Sequence, residues 1–298
     1  MRKVFVLAPG ENWIVDRFVA EWNQDNEDIS VLNPHESDVV WLLADWCYRK
    51  IDPSILASKR VITTIHHLVP EKFGPHEVAE FNDRDRFTDV YHVPNSHTRI
   101  HVAQLTNKPI VMFPFWANQK IWKQTDSKQN LRKKHGLPAN AFLVGSFQRD
   151  TEGHDLVSPK LEKGPDILAD ALEVWQKDKD LHVVLGGWRR QYIISRLESA
   201  GILYTYFEMA EQPTLNELYQ TLDLYPVTAR FEGGPQSFVE CGLLNIPMVS
   251  RSVGIAEQVL PPASINEDVT LATPSVPVVE DLVLPAGYEK YRELIQQL

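Results

Sequence analysis

Short apolar runs alternate with helix-period segments along most of this chain, and that alternation constrains the fold more than any other feature. A strand with no polar face is buried on both sides, and parallel neighbours need a helix-length crossover to bring the chain back. Runs of this kind fall at residues 4–7, 39–43, 61–65, 90–93 and 110–113, and again at 142–144, 182–185, 203–207, 224–228 and 248–250. Each set predicts its own doubly wound parallel sheet, so the fold class is α/β. Residues 119–134 are polar and lysine-rich, which puts the boundary between the two near residues 115–130. The expected division is an N-terminal domain over residues 1–120, a second over residues 121–284 and a last helix over residues 285–298. That helix carries Tyr288, Tyr291, Leu294, Ile295 and Leu298 at helical spacing. Ligands of open parallel sheets collect at the carboxyl ends of the strands, and two such sheets facing each other leave a cleft between domains.

Composition excludes several classes. A length of 298 residues suits two domains of ordinary size, and 43% hydrophobic with 10% aromatic residues excludes wholesale disorder. A net charge of -10 argues against nucleic acid as the main partner, so any anionic ligand has to be met by local cations. Cys47 and Cys241 are the only cysteines and make no disulfide framework. Met1, Arg2 and Lys3 precede only five apolar residues, too few for a signal-peptide core or a spanning helix. The expected compartment is the cytoplasm. The Gly-x-Gly-x-x-Gly fingerprint is absent, which disfavours a nicotinamide enzyme. His66 and His67 are adjacent in an extended segment and point to opposite faces, with no zinc-type spacing beside them. Asp83-Arg84-Asp85 and Asp178-Lys179-Asp180 read as solvated charges.

The stretch with most chemistry runs from Arg230 through Phe231, Glu232, Gly233, Gly234, Pro235, Gln236, Ser237, Phe238 and Val239 to Glu240. It follows a buried strand and leads into a helix, with Pro235 suited to the first helical position. The early N–H groups of such a helix lack intrahelical acceptors and face the positive end of the dipole, which suits a diphosphate. Glu232 sits at the turn and Glu240 about two turns along the same face. One carboxylate then accepts from sugar hydroxyls and the other from a ribose diol. A pair of glutamates at this spacing also fits a solvated helix.

With residues 244–250 (Leu-Asn-Ile-Pro-Met-Val-Ser) and 253–257 (Val-Gly-Ile-Ala-Glu) after it, this stretch resembles the donor segment of retaining GT-B glycosyltransferases. That segment reads Glu-Gly, small residues, a second Glu eight positions on, Gly-x-Pro-Val-Val and Gly-x-x-Glu. Asn245 stands in place of a glycine. Val144-Gly145-Ser146-Phe147 with residues 162–168, and Val183-Val184-Leu185-Gly186-Gly187, match two further stretches in the right order. The resemblance covers the C-terminal half and implies a GT-B fold, two Rossmann-like domains facing an interdomain cleft, with the final helix crossing back to the first.

The resemblance also implies an activity: transfer of a hexose from a nucleoside diphosphate sugar to an acceptor hydroxyl, with retention. The acceptor is a saccharide, a lipid-linked group or a small molecule. No metal and no cofactor beyond the sugar nucleotide is implied. Glu232, His66 and Lys163 are the catalytic candidates. Arg149, Lys163, Glu232, Gly233, Gly234, Pro235, Gln236, Ser237 and Glu240 are the donor-binding ones. Ser146 occupies the position of a usual arginine; Arg149 is the nearest substitute and Lys160 a further one. Gly10, Glu11 and Asn12 resemble the acceptor loop. Trp188 follows a strand where the family meets the nucleobase. The polar segment 150–158 is expected to be mobile and to fold over a donor. Two other readings are a sugar-nucleotide epimerase of the same fold and a non-catalytic sugar-nucleotide-binding protein.

Overall fold

A computed structural model of the chain describes residues 1–11 and 14–298. It forms two compact units, the first made of Met1–Phe115 with Gly287–Leu298 and the second of Trp116–Ala286.

In the first unit, β1 (Val4–Val6), β2 (Val39–Leu42), β3 (Arg60–Thr64), β4 (Val90–Val93) and β5 (Ile110–Met112) lie side by side in chain order, all parallel. Val4 pairs with Val39, Val40 with Val61, Ile62 with Val90 and Tyr91 with Ile110. Residues 29–31 add to the outer edge of β1: the Val4 N–H donates to the Ile29 carbonyl at 2.8 Å and the Val31 N–H to that of Val4 at 2.9 Å. The chain thus leaves β1 through the helix Ile14–Asp25 to one side and returns as β2 on the other, which makes β1 a topological switch point. The helix Glu289–Gln297 belongs to this unit, and its Tyr291 stacks on Trp41 with ring centroids 5.0 Å apart.

The second unit holds β6 (Phe142–Phe147), β7 (Leu181–Gly186) and β8 (Leu203–Phe207) in one parallel sheet, and β9 (Tyr225–Val227) beside β10 (Met248–Ser250). Leu224 joins the two: its carbonyl accepts from the Gly145 N–H at 3.0 Å and its N–H donates to the Leu143 carbonyl at 3.2 Å. The resulting order is β8-β7-β6-β9-β10, with the switch between β6 and β9. Both faces are apolar, as fully covered parallel strands require. Leu143 and Val184 enter one buried cluster with Phe238 and Leu244, while Val144, Val183 and Leu185 enter another with Leu168 and Ile193.

Two expectations need correction here. Arg84 is buried and pairs with Asp45 at 3.0 Å, its guanidinium 5.4 Å from the Phe81 ring, while Asp83 accepts from the Tyr48 hydroxyl at 2.6 Å. The helix Pro75–Asp85 turns these side chains toward the turn Asp45–Lys50, where the long arginine stem packs and its head is paired. By contrast Asp178, Lys179 and Asp180 are exposed. Pro235 precedes the helix Gln236–Leu244 instead of opening it: its φ of -53° suits a helix, but its ψ of 121° is extended. The proline ring fixes only φ. Among the described residues no helix is long and apolar enough to cross a membrane.

Candidate active site

The crevice at the carboxyl ends of β6 and β9 is built by a close approach of two loops. The turn Leu161–Lys163 ends at Gly164, whose φ is +62°, and a Cβ there would lie 1.9 Å from the Thr228 carbonyl oxygen. Only glycine fits. The Thr228 hydroxyl donates to the Gly164 carbonyl at 2.9 Å. The N–H groups of Arg230 and Phe231 both donate to the Glu162 carbonyl, at 2.8 and 3.2 Å. The Arg230 guanidinium grips Asp166 through two bonds of 2.8 and 2.6 Å. Lashed together in this way, the loops bring Lys163 and Glu232 into an ion pair whose side chains are only 17% and 13% exposed.

Beyond Glu232 the chain passes Gly233 and Gly234 to Pro235. A Cβ on Gly254 would lie 2.6 Å from the Pro235 Cδ, so Gly254 lets the two segments touch. Gln236 and Ser237 open the helix, and their N–H groups belong to the first turn, which has no intrahelical acceptors. Glu240, on that helix, is buried rather than solvated. Its Oε2 accepts from the Tyr219 hydroxyl at 2.7 Å. Burial, and then the Glu240 charge, push the Tyr219 hydroxyl well above its usual pKa, so it stays a donor. Tyr219 packs edge-on against Phe147 at the end of β6, and the Phe147 N–H donates to the Tyr225 hydroxyl at 3.1 Å.

Cations converge on the same place. Lys160 lies 3.5 Å from Glu162. Burial lowers its ammonium pKa most; the Glu162 charge opposes, and Lys163 and Arg149 lower it further. Arg149 donates to the Thr151 carbonyl at 3.0 Å and lies 5.3 Å from the ring of Trp188, which Arg189 approaches at 4.6 Å. Ser146 is buried, and its carbonyl and hydroxyl both accept from Arg190, itself fully buried and paired with Asp150. Arg190 also donates to the Gly186 carbonyl at 2.6 Å, so it rivets the ends of β6 and β7 together. The polar segment 150–158 is consequently anchored at its start, with Asp150 and Thr151 buried.

In the first unit the carboxyl ends of β1, β2 and β3 gather a second cluster. The Gly10 and Glu11 N–H groups each donate to Asp16 at 2.8 Å, and Gly10 has φ +70°. Asn12 lies outside the described residues. Glu11 accepts from the Trp46 indole N–H at 2.9 Å. His66 Nε2 lies 2.9 Å from the Leu43 carbonyl; a carbonyl only accepts, so that nitrogen carries the proton. The His66 ring stacks on Phe115 at 5.3 Å and lies 5.9 Å from Trp46. Asp45 has its carboxyl pushed up by burial, against the charges of Arg84 and His66.

Sequence reasoning missed Asp16, Trp46, Tyr219 and Arg190. Asp16 had a signal, an acid in the first helical turn. The other three act through contacts distant in the chain and had none. Among the described residues no three His, Cys, Asp or Glu side chains gather as a metal site.

No protein-family model matches the chain, and no curated protein matches it. Solved structures do. Anabaena HepE in complex with UDP and glucose is similar over 91% of this chain and 88% of its own, with a TM-score of 0.71 at 15% identity. Sucrose-phosphate synthase of Thermosynechococcus elongatus is similar over 87% of this chain and 66% of its own, with a TM-score of 0.59 at 15% identity. WaaG, a glycosyltransferase involved in lipopolysaccharide biosynthesis, is similar over 84% and 81%, with a TM-score of 0.57 at 12% identity. The fold is therefore that of the GT-B glycosyltransferases.

Proposed function

We propose that the protein is a retaining glycosyltransferase that moves a hexose from a nucleoside diphosphate sugar to an acceptor hydroxyl. The observation that carries this reading is the Lys163–Glu232 pair at the β6/β9 switch point, with Lys160 and Arg149 close by. A diphosphate bound there would meet these cations and the first turn of the helix Gln236–Leu244. Likeness to HepE in complex with UDP and glucose supports the same ligand class.

In the proposed reaction the bond between the anomeric carbon and the phosphate oxygen breaks, and its electron pair leaves with the diphosphate. The acceptor oxygen bonds to the anomeric carbon on the same face, and its proton passes to the departing phosphate. Negative charge grows on the leaving group, so Lys163, Arg149 and the N–H groups of Gly233, Gly234, Gln236 and Ser237 stabilise the transition state more than the ground state. No metal or cofactor takes part in this proposal. Glu232 orients the sugar hydroxyls, with Gly234 and Pro235 shaping the turn. Glu240, held by Tyr219, accepts from the ribose diol. His66 is assigned a hydrogen bond to the transferred sugar, and Gly10, Glu11 and Asn12 the acceptor side. The proposed compartment is the cytoplasm, which suits two buried free thiols at Cys47 and Cys241.

The test is a thermal-shift screen of UDP, GDP, ADP and their hexose conjugates against the wild type, Lys163→Met and Glu240→Gln. One nucleotide class should raise the midpoint of the wild type, and Lys163→Met should diminish that rise. Failure of every nucleotide at saturating concentration would overturn the reading.

A further inference from the structure

We propose that the exposed indole of Trp46 is the platform of the acceptor site, and that the acceptor therefore presents a pyranose ring. This rests on the transferase reading and names the substrate class at its other end. Trp46 is 45% exposed, whereas Trp22 and Trp41 in the same unit are at most 1% exposed. Leaving so much indole in water forgoes the burial that tryptophan normally finds, which calls for something that covers it.

Its position is the second observation. Trp46 lies in the turn Asp45–Lys50 just beyond β2, between Glu11 after β1 and His66 after β3. Those are three adjacent strands ending beside the β1 switch point, where a sheet of this kind takes its ligand. The indole is also held in place. Its N–H donates to Glu11 Oε1 at 2.9 Å, and that bond lies in the plane of the ring, occupying an edge and not a face. An aromatic plate fixed before binding loses little freedom when a ligand settles on it.

The surroundings select the ligand. The C–H-rich face of a pyranose packs on the negative face of an indole, while its equatorial hydroxyls reach outward for acceptors. Glu11 supplies a carboxyl group at the edge of the ring, and His66 an imidazole 5.9 Å away. An alkyl chain would need apolar surface continuing past the indole. Instead Arg49 and Lys50 are exposed on one side, and Cys47 and Tyr48 are buried.

Saturation-transfer NMR on the full chain tests this, with UDP, methyl β-D-glucopyranoside, methyl β-D-galactopyranoside, maltose and 1-hexanol as probes. At least one pyranose should receive saturation, and Trp46→Ala should weaken its binding by about threefold to tenfold. Trp46→Phe should keep most of it, and the UDP signal should persist in both variants, which also shows that they fold. Two results would overturn the proposal: pyranose signals indifferent to Trp46→Ala, or saturation of hexanol and of no sugar. A wild type that saturates a pyranose but not UDP would sink the donor reading while leaving the Trp46 comparison decisive.

Discussion

At Lys160, burial and two neighbouring cations act in one direction, and only Glu162 opposes them. A bound diphosphate would reverse the balance by adding negative charge, so binding should draw a proton onto this ammonium. The sign follows from linkage. Affinity is full below the Lys160 pKa of the unliganded protein, which lies under the ordinary lysine value, and falls as pH rises through it. Titration calorimetry with the nucleotide found in the screen should show that alkaline fall, and Lys160→Met should bind more weakly at neutral pH without it. An unchanged alkaline limb in Lys160→Met would remove this residue from the phosphate site. Lys163 answers to a different measurement. Losing one charge-assisted bond costs about 1.5–3 kcal/mol, so Lys163→Met should weaken nucleotide binding by about tenfold to a hundredfold. Gly164 is the residue on which that geometry depends. Alanine there would meet the Thr228 carbonyl at 1.9 Å in a left-handed conformation, with backbone on the other side that cannot swing away. Gly164→Ala should cost more than about 2 kcal/mol in urea unfolding and weaken nucleotide binding along with it.

At the scale of elements, period and punctuation made the strands legible, because a doubly covered parallel strand is apolar at consecutive positions whatever its neighbours are. The motif at Glu232 was legible for a similar reason: glycines, a proline and two acids are local signs. Pro235 shows where such signs run out, since its ring settles φ and leaves open the ψ of 121° that places it outside the helix. Arg84 and Glu240 show a second limit. Charge in the sequence says nothing about whether a partner waits inside, and here Asp45 and Tyr219 do. His92, in β4, belongs to the same class. It is fully buried between the Thr64 hydroxyl at 3.1 Å and the Phe113 carbonyl at 2.9 Å, and burial pushes its pKa down to about 3. Above its ordinary value of 6.5 it is neutral whether the chain is folded or not, and it costs nothing. Below 6.5 the unfolded chain takes up a proton that the folded one refuses, so stability falls as pH drops from 6.5 towards 3. Urea midpoints at several pH values should show this slope, and His92→Gln should flatten it while lowering stability at neutral pH.

Across the whole molecule, the two units are not two stretches of chain, because residues 287–298 return to the first one. The apolar stripe of the last helix was readable, but nothing in its spacing named Trp41 or Trp22 as the surface it covers. Tyr291 stacks on Trp41 at 5.0 Å, meets Phe113 edge-on at 4.5 Å and lies 5.1 Å from His92, while Tyr288 meets Trp22 at 5.3 Å. Arg292 adds two bonds to Asp28, of 3.0 and 2.6 Å, and the Arg2 N–H donates to Gln296 at 2.9 Å. The same cluster encloses His92, so the segment shields a group that burial keeps neutral. Removing the Tyr291 ring should therefore cost about 3–5 kcal/mol, the range for truncating a large buried aromatic. The loss should be confined to one unit. In Tyr291→Ala, and more so after deletion of residues 287–298, amide exchange should quicken in β2, β4 and β5 while β6 and β7 keep their protection, and a single unfolding transition should split into two. Protection lost equally in both units would mean that the returning segment supports the whole chain rather than the sheet on which it lies.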